Sequence, residues 1–161
     1  MVDTKKVSGR RVLRFESIDE CLAEVSRLCE AERAGRLKAL GNWTLGQTLG
    51  HLAAWVEYWY TGFAMKRPPW AIRVISKLML GMILKGPMKP GFRLPGAAAG
   101  TFGTEPCGLD EGERRVKAAF ERLARERATV PSPLFGMLPQ EKIIELQLRH
   151  AELHLSFFVP S

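Results

Sequence analysis

Four stretches of this chain repeat apolar side chains every three or four residues, a period that admits little besides amphipathic helices packed on one another. The first opens at Ser17-Ile18-Asp19-Glu20, where Ser and Glu three positions apart read as a capping box. Ile18, Cys21, Leu22, Val25, Leu28 and Cys29 then share one face, and Gly35 suits a stop. Thr44-Leu45-Gly46-Gln47 is a second box, opening a helix that runs to about Gly62. Asp110-Glu111-Gly112-Glu113 reads as a third, with Val116, Ala119, Phe120 and Leu123 as its buried stripe. The fourth helix starts near Pro139, a residue suited to a first turn, and continues through Ile143, Ile144, Leu148, Ala151 and Leu155 to about Phe158. Only Val12-Leu13-Arg14-Phe15 looks strand-like, too short and too lone to build a sheet. The fold class expected is all-α: a four-helix bundle in a single domain, residues 1–161, with residues 1–10 flexible. Residues 63–108 form a long crossover insertion between helices 2 and 3. Within it Trp70 to Leu84 suits a short helix. Gly86 to Gly108, with six glycines and four prolines, suits an irregular loop, and the most mobile ordered part of the chain.

At 161 residues, 46 % of them hydrophobic and 25 % charged, the chain has the length and composition for one real core. Three cysteines, Cys21, Cys29 and Cys107, make an odd count without a CxxC, which fits a reducing cytoplasm better than a disulfide scaffold. No apolar leader follows Met1 and no apolar run reaches the length of a membrane span, so the expected location is cytoplasmic. The net charge of +7 is concentrated. Lys66, Arg67, Arg73, Lys77, Lys85, Lys89 and Arg93 fall between Tyr58 and Thr104 with no acid among them, and the remaining 17 basic residues match 17 acidic ones. The segment reads as solvated surface, as a lid over an anionic substrate, or as an interfacial helix. Arg73, Lys77, Gly81 and Lys85 share one face, with Ile72, Ile75, Leu78, Met79 and Met82 opposite. Packing on the bundle or service as a lid is favoured, because a helix lying on a core shows the same pattern. Trp70 and Phe92 are not interleaved with basic residues as stacking platforms for nucleic acid would be.

The chain holds only three histidines, and two of them, His150 and His154, stand four positions apart in the apolar last helix. That spacing puts both imidazoles on one face, where they can share a metal ion. His51, on the inward stripe Gln47, His51, Trp55, Tyr58, supplies a third nitrogen. Three histidines around one divalent metal leave a fourth position open in the usual catalytic arrangement. The polar residues flanking them, Gln47, Tyr58 and Gln147, are candidates to orient the rings. Glu152 should point away from the metal, and because HAELH is not HExxH the helical general base of a zinc peptidase is missing. The chain offers no P-loop and no Gly-rich dinucleotide fingerprint.

The stretch Asn42-Trp43-Thr44-Leu45-Gly46-Gln47-Thr48-Leu49-Gly50-His51-Leu52 resembles the second-helix signature of the DinB/YfiT-like metalloenzymes, in which a Trp-Ser/Thr cap precedes a metal-binding histidine by two turns. The last helix of that family carries HxxxH, matched by His150 and His154, and the resemblance runs from Ser17 to Phe158, closest to a bacterial branch of unassigned function. It implies an up-down-down-up bundle and a divalent metal, zinc or nickel, held by His51, His150 and His154. It further implies a link to transferases and isomerases that use a low-molecular-weight thiol such as mycothiol or bacillithiol, with glutathione conceivable here. The basic, glycine-rich insertion departs from the shorter connections of many members, so substrate identity does not carry over. Two function classes follow: a metal-dependent enzyme of the thiol S-transferase-like type, and a non-catalytic metal- or ligand-binding stress-response protein. The partner expected is a small molecule, anionic if the basic segment meets it, with no nucleic acid and no membrane span. A homodimer is compatible with the same sequence.

Overall fold

The computed structural model describes residues 2–94, 97 and 99–161. It is mostly helical, with five helices and one small antiparallel sheet among the described residues. In chain order these are α1 (Ile18–Arg33), β1 (Leu37–Ala39), α2 (Leu45–Thr61), α3 (Trp70–Lys85), α4 (Leu109–Arg125), α5 (Gln140–Leu155) and β2 (Phe158–Pro160).

Two of the three boxes cap through their first residue, while the partners three positions on, Glu20 and Gln47, bond elsewhere, to the Glu16 amide and the Thr104 carbonyl. The Ser17 side chain accepts from the Glu20 amide and Thr44 from the Gln47 amide, each satisfying a donor that the helix leaves open. The third does not. α4 begins at Leu109 after Gly108, with no side-chain cap, so Asp110 lies inside the first turn and meets Arg33 at 2.6 Å instead. A carboxylate there still complements the positive end of the helix dipole.

The core is formed chiefly from α1, α2, α4 and α5, through Val25, Leu28, Leu49, Leu52, Val56, Trp59, Val116, Phe120, Leu123, Ile143 and Leu155. α2 and α4 approach closely because glycines stand where they meet. A Cβ on Gly46 would come within 2.6 Å of the Cys107 carbonyl oxygen, and one on Gly112 within 2.6 Å of the Gly46 oxygen. Cys21 and Cys29 are buried and free, with burial pushing both thiols up to about 12, so they behave as small apolar side chains.

Val12–Phe15 builds no sheet, as its length and isolation imply. The Phe15 amide donates to Glu152 Oε1 at 2.6 Å, and the Phe15 carbonyl accepts from Arg149, so the partners of the Phe15 backbone are side chains rather than a neighbouring strand. Arg149 and Glu152 are themselves buried and paired at 2.9 Å, and Glu152 faces this segment. The sheet lies elsewhere, pairing Leu37 with Pro160, Lys38 with Val159 and Ala39 with Phe158. It also shortens the last helix, read as reaching Phe158. Pro160 restricts Val159 to extended backbone, and the chain leaves α5 at Leu155 to pair with β1. Arg10 and Arg11 brace that exit through Ser156 Oγ at 2.7 Å and the Phe158 carbonyl at 2.6 Å.

The insertion holds α3, as its period predicts, but not in the expected orientation. Leu80, Ile83 and Leu84 meet the core, whereas Ile72, Val74, Ile75, Leu78, Met79 and Met82 are exposed. Among the described residues, 86–108 carry no helix until α4 approaches and no strand. Pro95, Gly96 and Ala98 of the expected mobile loop lie outside the described residues.

Candidate metal centre

The three histidines separated in sequence converge in space. His51 sits midway along α2, and His150 and His154 share one face of α5 one turn apart. One ring nitrogen from each lies within 4.8 Å of the others. Ring centroids stand 5.1 Å (His51–His150), 4.7 Å (His51–His154) and 4.7 Å (His150–His154) apart, with planes inclined by 67°, 65° and 85°. Rings so inclined do not stack; they meet pairwise edge to face.

The tautomer of His51 follows from its neighbours. Nδ1 lies 3.0 Å from the Phe102 carbonyl oxygen and 3.3 Å from that of Gly103. Carbonyls only accept, so Nδ1 carries the proton and Nε2 presents a lone pair. That lone pair faces His150 Nε2 at 3.3 Å. Two nitrogens bound tetrahedrally to one cation at about 2.05 Å would stand ~3.3 Å apart, so this spacing needs little change to become a ligand edge.

The loop that fixes the tautomer is itself tightly placed. Gly103 is buried with φ +69°, and a Cβ there would stand 2.9 Å from Ala54 Cβ. Glycine alone fits this position, by conformation and by space. Gln47 Nε2 donates to the Thr104 carbonyl at 2.9 Å and Trp55 Nε1 to the Phe102 carbonyl at 3.2 Å. Two side chains of α2 therefore anchor the loop whose carbonyls orient the α2 histidine.

Tryptophans wall the cluster. Trp43 stacks on His154 with centroids 5.4 Å apart and planes within 6°, and its ring is 4.9 Å from His51. Trp55 meets His150 edge-on at 5.5 Å. In these surroundings burial lowers the His51 pKa to about 4 against the pull of its two carbonyl partners. It lowers His150 and His154 well below the usual value too, with mutual repulsion adding. All three are neutral at pH 7, the form that binds a metal.

Of the residues expected to orient the rings, Gln47 acts one step removed, through Thr104. Tyr58 borders Gly103, its hydroxyl 3.3 Å from the place of a Cβ there. Gln147 is buried on α5. Among the described residues none of the three hydrogen-bonds a histidine. Phe102 and Gly103, which do, were not singled out from sequence, because a backbone carbonyl leaves no residue-type signal. The stacking of Trp43 was also missed, although its place just before the Thr44 cap had marked it as part of a motif.

The fold and the cluster thus define a helical protein with three histidines that could hold a divalent cation. The chain belongs to the family described as Protein of unknown function (DUF1569), which matches residues 7–161. No curated protein matches the chain, and no solved structure matches it either.

Proposed function

We propose that His51, His150 and His154 are the ligands of one divalent cation, zinc or nickel, and that the protein is a metal-dependent enzyme of the thiol S-transferase-like type. The observation that carries the reading is the facing of His51 Nε2 and His150 Nε2 at 3.3 Å with the His51 proton committed to the loop carbonyls. Two bare nitrogens that close repel unless a proton or a cation lies between them, and a third ring is within 4.8 Å. Imidazole nitrogen suits zinc and nickel alike.

Within this reading each residue has a task. His51, His150 and His154 bind; the Phe102 and Gly103 carbonyls hold His51 in the ligating tautomer; Gln47 and Trp55 hold the loop; Trp43 and Trp55 keep water from the sides of the cluster. When bound, a cation with one position free of protein would hold a low-molecular-weight thiol as its thiolate. The resemblance to DinB/YfiT-like proteins supports that chemistry and an up-down-down-up bundle formed by α1, α2, α4 and α5. The substrate would be a small electrophile.

Calorimetric titration of zinc and nickel into wild type, His51→Ala and His150→Ala tests ligation. Wild type should bind about one cation per chain. Each single variant should lose most of that binding, and the double variant little more, because the residues share one partner. If His51→Ala binds as tightly as wild type, the three-histidine site is wrong. Metal bound without consumption of thiol in the presence of electrophiles would replace the enzyme with a non-catalytic metal-binding protein.

A further inference from the structure

We propose that the outward face of α3 docks on an anionic lipid bilayer, lying in the plane of its surface. On this helix Leu78 is 78 % exposed, Trp70 76 %, Met82 69 % and Ile75 55 %. Val74, Met79 and Ile72 are exposed too, while Leu84 is the one fully buried side chain of the helix. The packed edge of Leu80, Ile83 and Leu84 accounts for its attachment to the core. It does not account for a continuous apolar stripe on the opposite side, and such a stripe on a folded protein marks a surface that something covers.

Charge selects the occupant. Lys66 and Arg67 precede the helix, Lys77 and Lys85 lie on it, and Lys89 and Arg93 follow, with no carboxylate anywhere from Tyr58 to Thr104. A second copy of the chain docked through this helix would bring two such acid-free segments together, with no carboxylate on either helix or its flanks to relieve the repulsion. A bilayer containing anionic lipid offers apolar depth to the stripe and negative charge to the rim, and long Lys and Arg stems reach headgroups while their heads stay wet. The helix lies on the surface rather than crossing it. At sixteen residues it is about 24 Å long, short of a hydrocarbon core of about 30 Å.

The test is co-sedimentation of the full chain with vesicles of phosphatidylcholine alone and of phosphatidylcholine mixed with phosphatidylglycerol. Sedimentation velocity without lipid runs in parallel. Wild type should pellet with the anionic vesicles and remain in solution with the neutral ones, and added salt should weaken the association. Leu78→Glu with Met82→Glu should reduce binding by about tenfold or more, and Lys77→Glu with Lys85→Glu should do the same from the charged side. All four side chains are exposed, so circular dichroism should show both variants folded. The proposal is overturned if wild type ignores anionic vesicles, or if binding survives both pairs of changes. A wild-type dimer that Leu78→Glu with Met82→Glu converts to monomer, without vesicle binding, overturns it in favour of a second copy as the occupant.

Discussion

Two carbonyl oxygens decide what His51 can do. With Nδ1 donating to Phe102 and Gly103, the ring has one tautomer and one free lone pair, aimed at His150. Gly103 holds those oxygens in place at a φ of +69° that disfavours any side chain. Gly103→Ala should therefore leave the helices intact while loosening the loop. The strained backbone costs about 1–3 kcal/mol, and loss of an orienting partner typically costs about 10- to 100-fold in metal affinity. Competition against a chromophoric chelator reads the affinity. An alanine variant that binds like wild type would show that the loop does not orient the ligand. The histidines were legible in sequence because a four-residue spacing on a helix has one geometric meaning. The carbonyls that orient His51 were not, since every residue has a carbonyl and only the folded loop says where it points.

Helices α1 and α2 were readable from their own residues because each carries an apolar period and a cap that works locally. β1 and β2 were not, since three-residue strands pair only after α5 brings the chain end to Leu37. The period of α3 told which side chains share a face, but not whether that face turns inward or outward. Glycine shows the same dependence on context. Gly81 lies inside α3 with nothing within 4 Å of its Cβ position, whereas Gly112 in α4 would drive a Cβ against the Gly46 carbonyl at 2.6 Å. Gly81→Ala should stabilise by about 0.4–1 kcal/mol through helix propensity and reduced unfolded-state freedom. Gly112→Ala should destabilise by about 1–3 kcal/mol through overpacking. Urea unfolding of both variants checks the opposite signs; a Gly112→Ala protein as stable as wild type would mean that α2 and α4 can separate without cost.

The whole molecule should feel its histidines through pH. His51 titrates near 4 when folded against about 6.5 when unfolded, and His150 and His154 shift the same way. Between those values the unfolded chain binds protons that the folded one refuses, so stability is full above about 6.5 and falls as the pH drops toward 4. For His51 alone the loss approaches roughly 3 kcal/mol. Thermal melts of metal-free protein from pH 7.5 to 4.5 should show the decline, and His51→Ala should flatten part of it. Added zinc or nickel should raise the melting temperature at pH 7.5, by mass action on the native state, and progressively less as protons compete. The four tryptophans are also spaced as optical reporters. Trp43 and Trp55 flank the histidines, Trp59 is buried in the core, and Trp70 stands 76 % exposed at the start of α3. A paramagnetic ion such as cobalt(II) at the cluster should quench the first two by contact. Unfolding should shift the emission of Trp59 to the red, and a lipid surface should shift that of Trp70 to the blue. Variants keeping one tryptophan at a time would let a single fluorimeter follow occupancy, folding and surface attachment as separate signals.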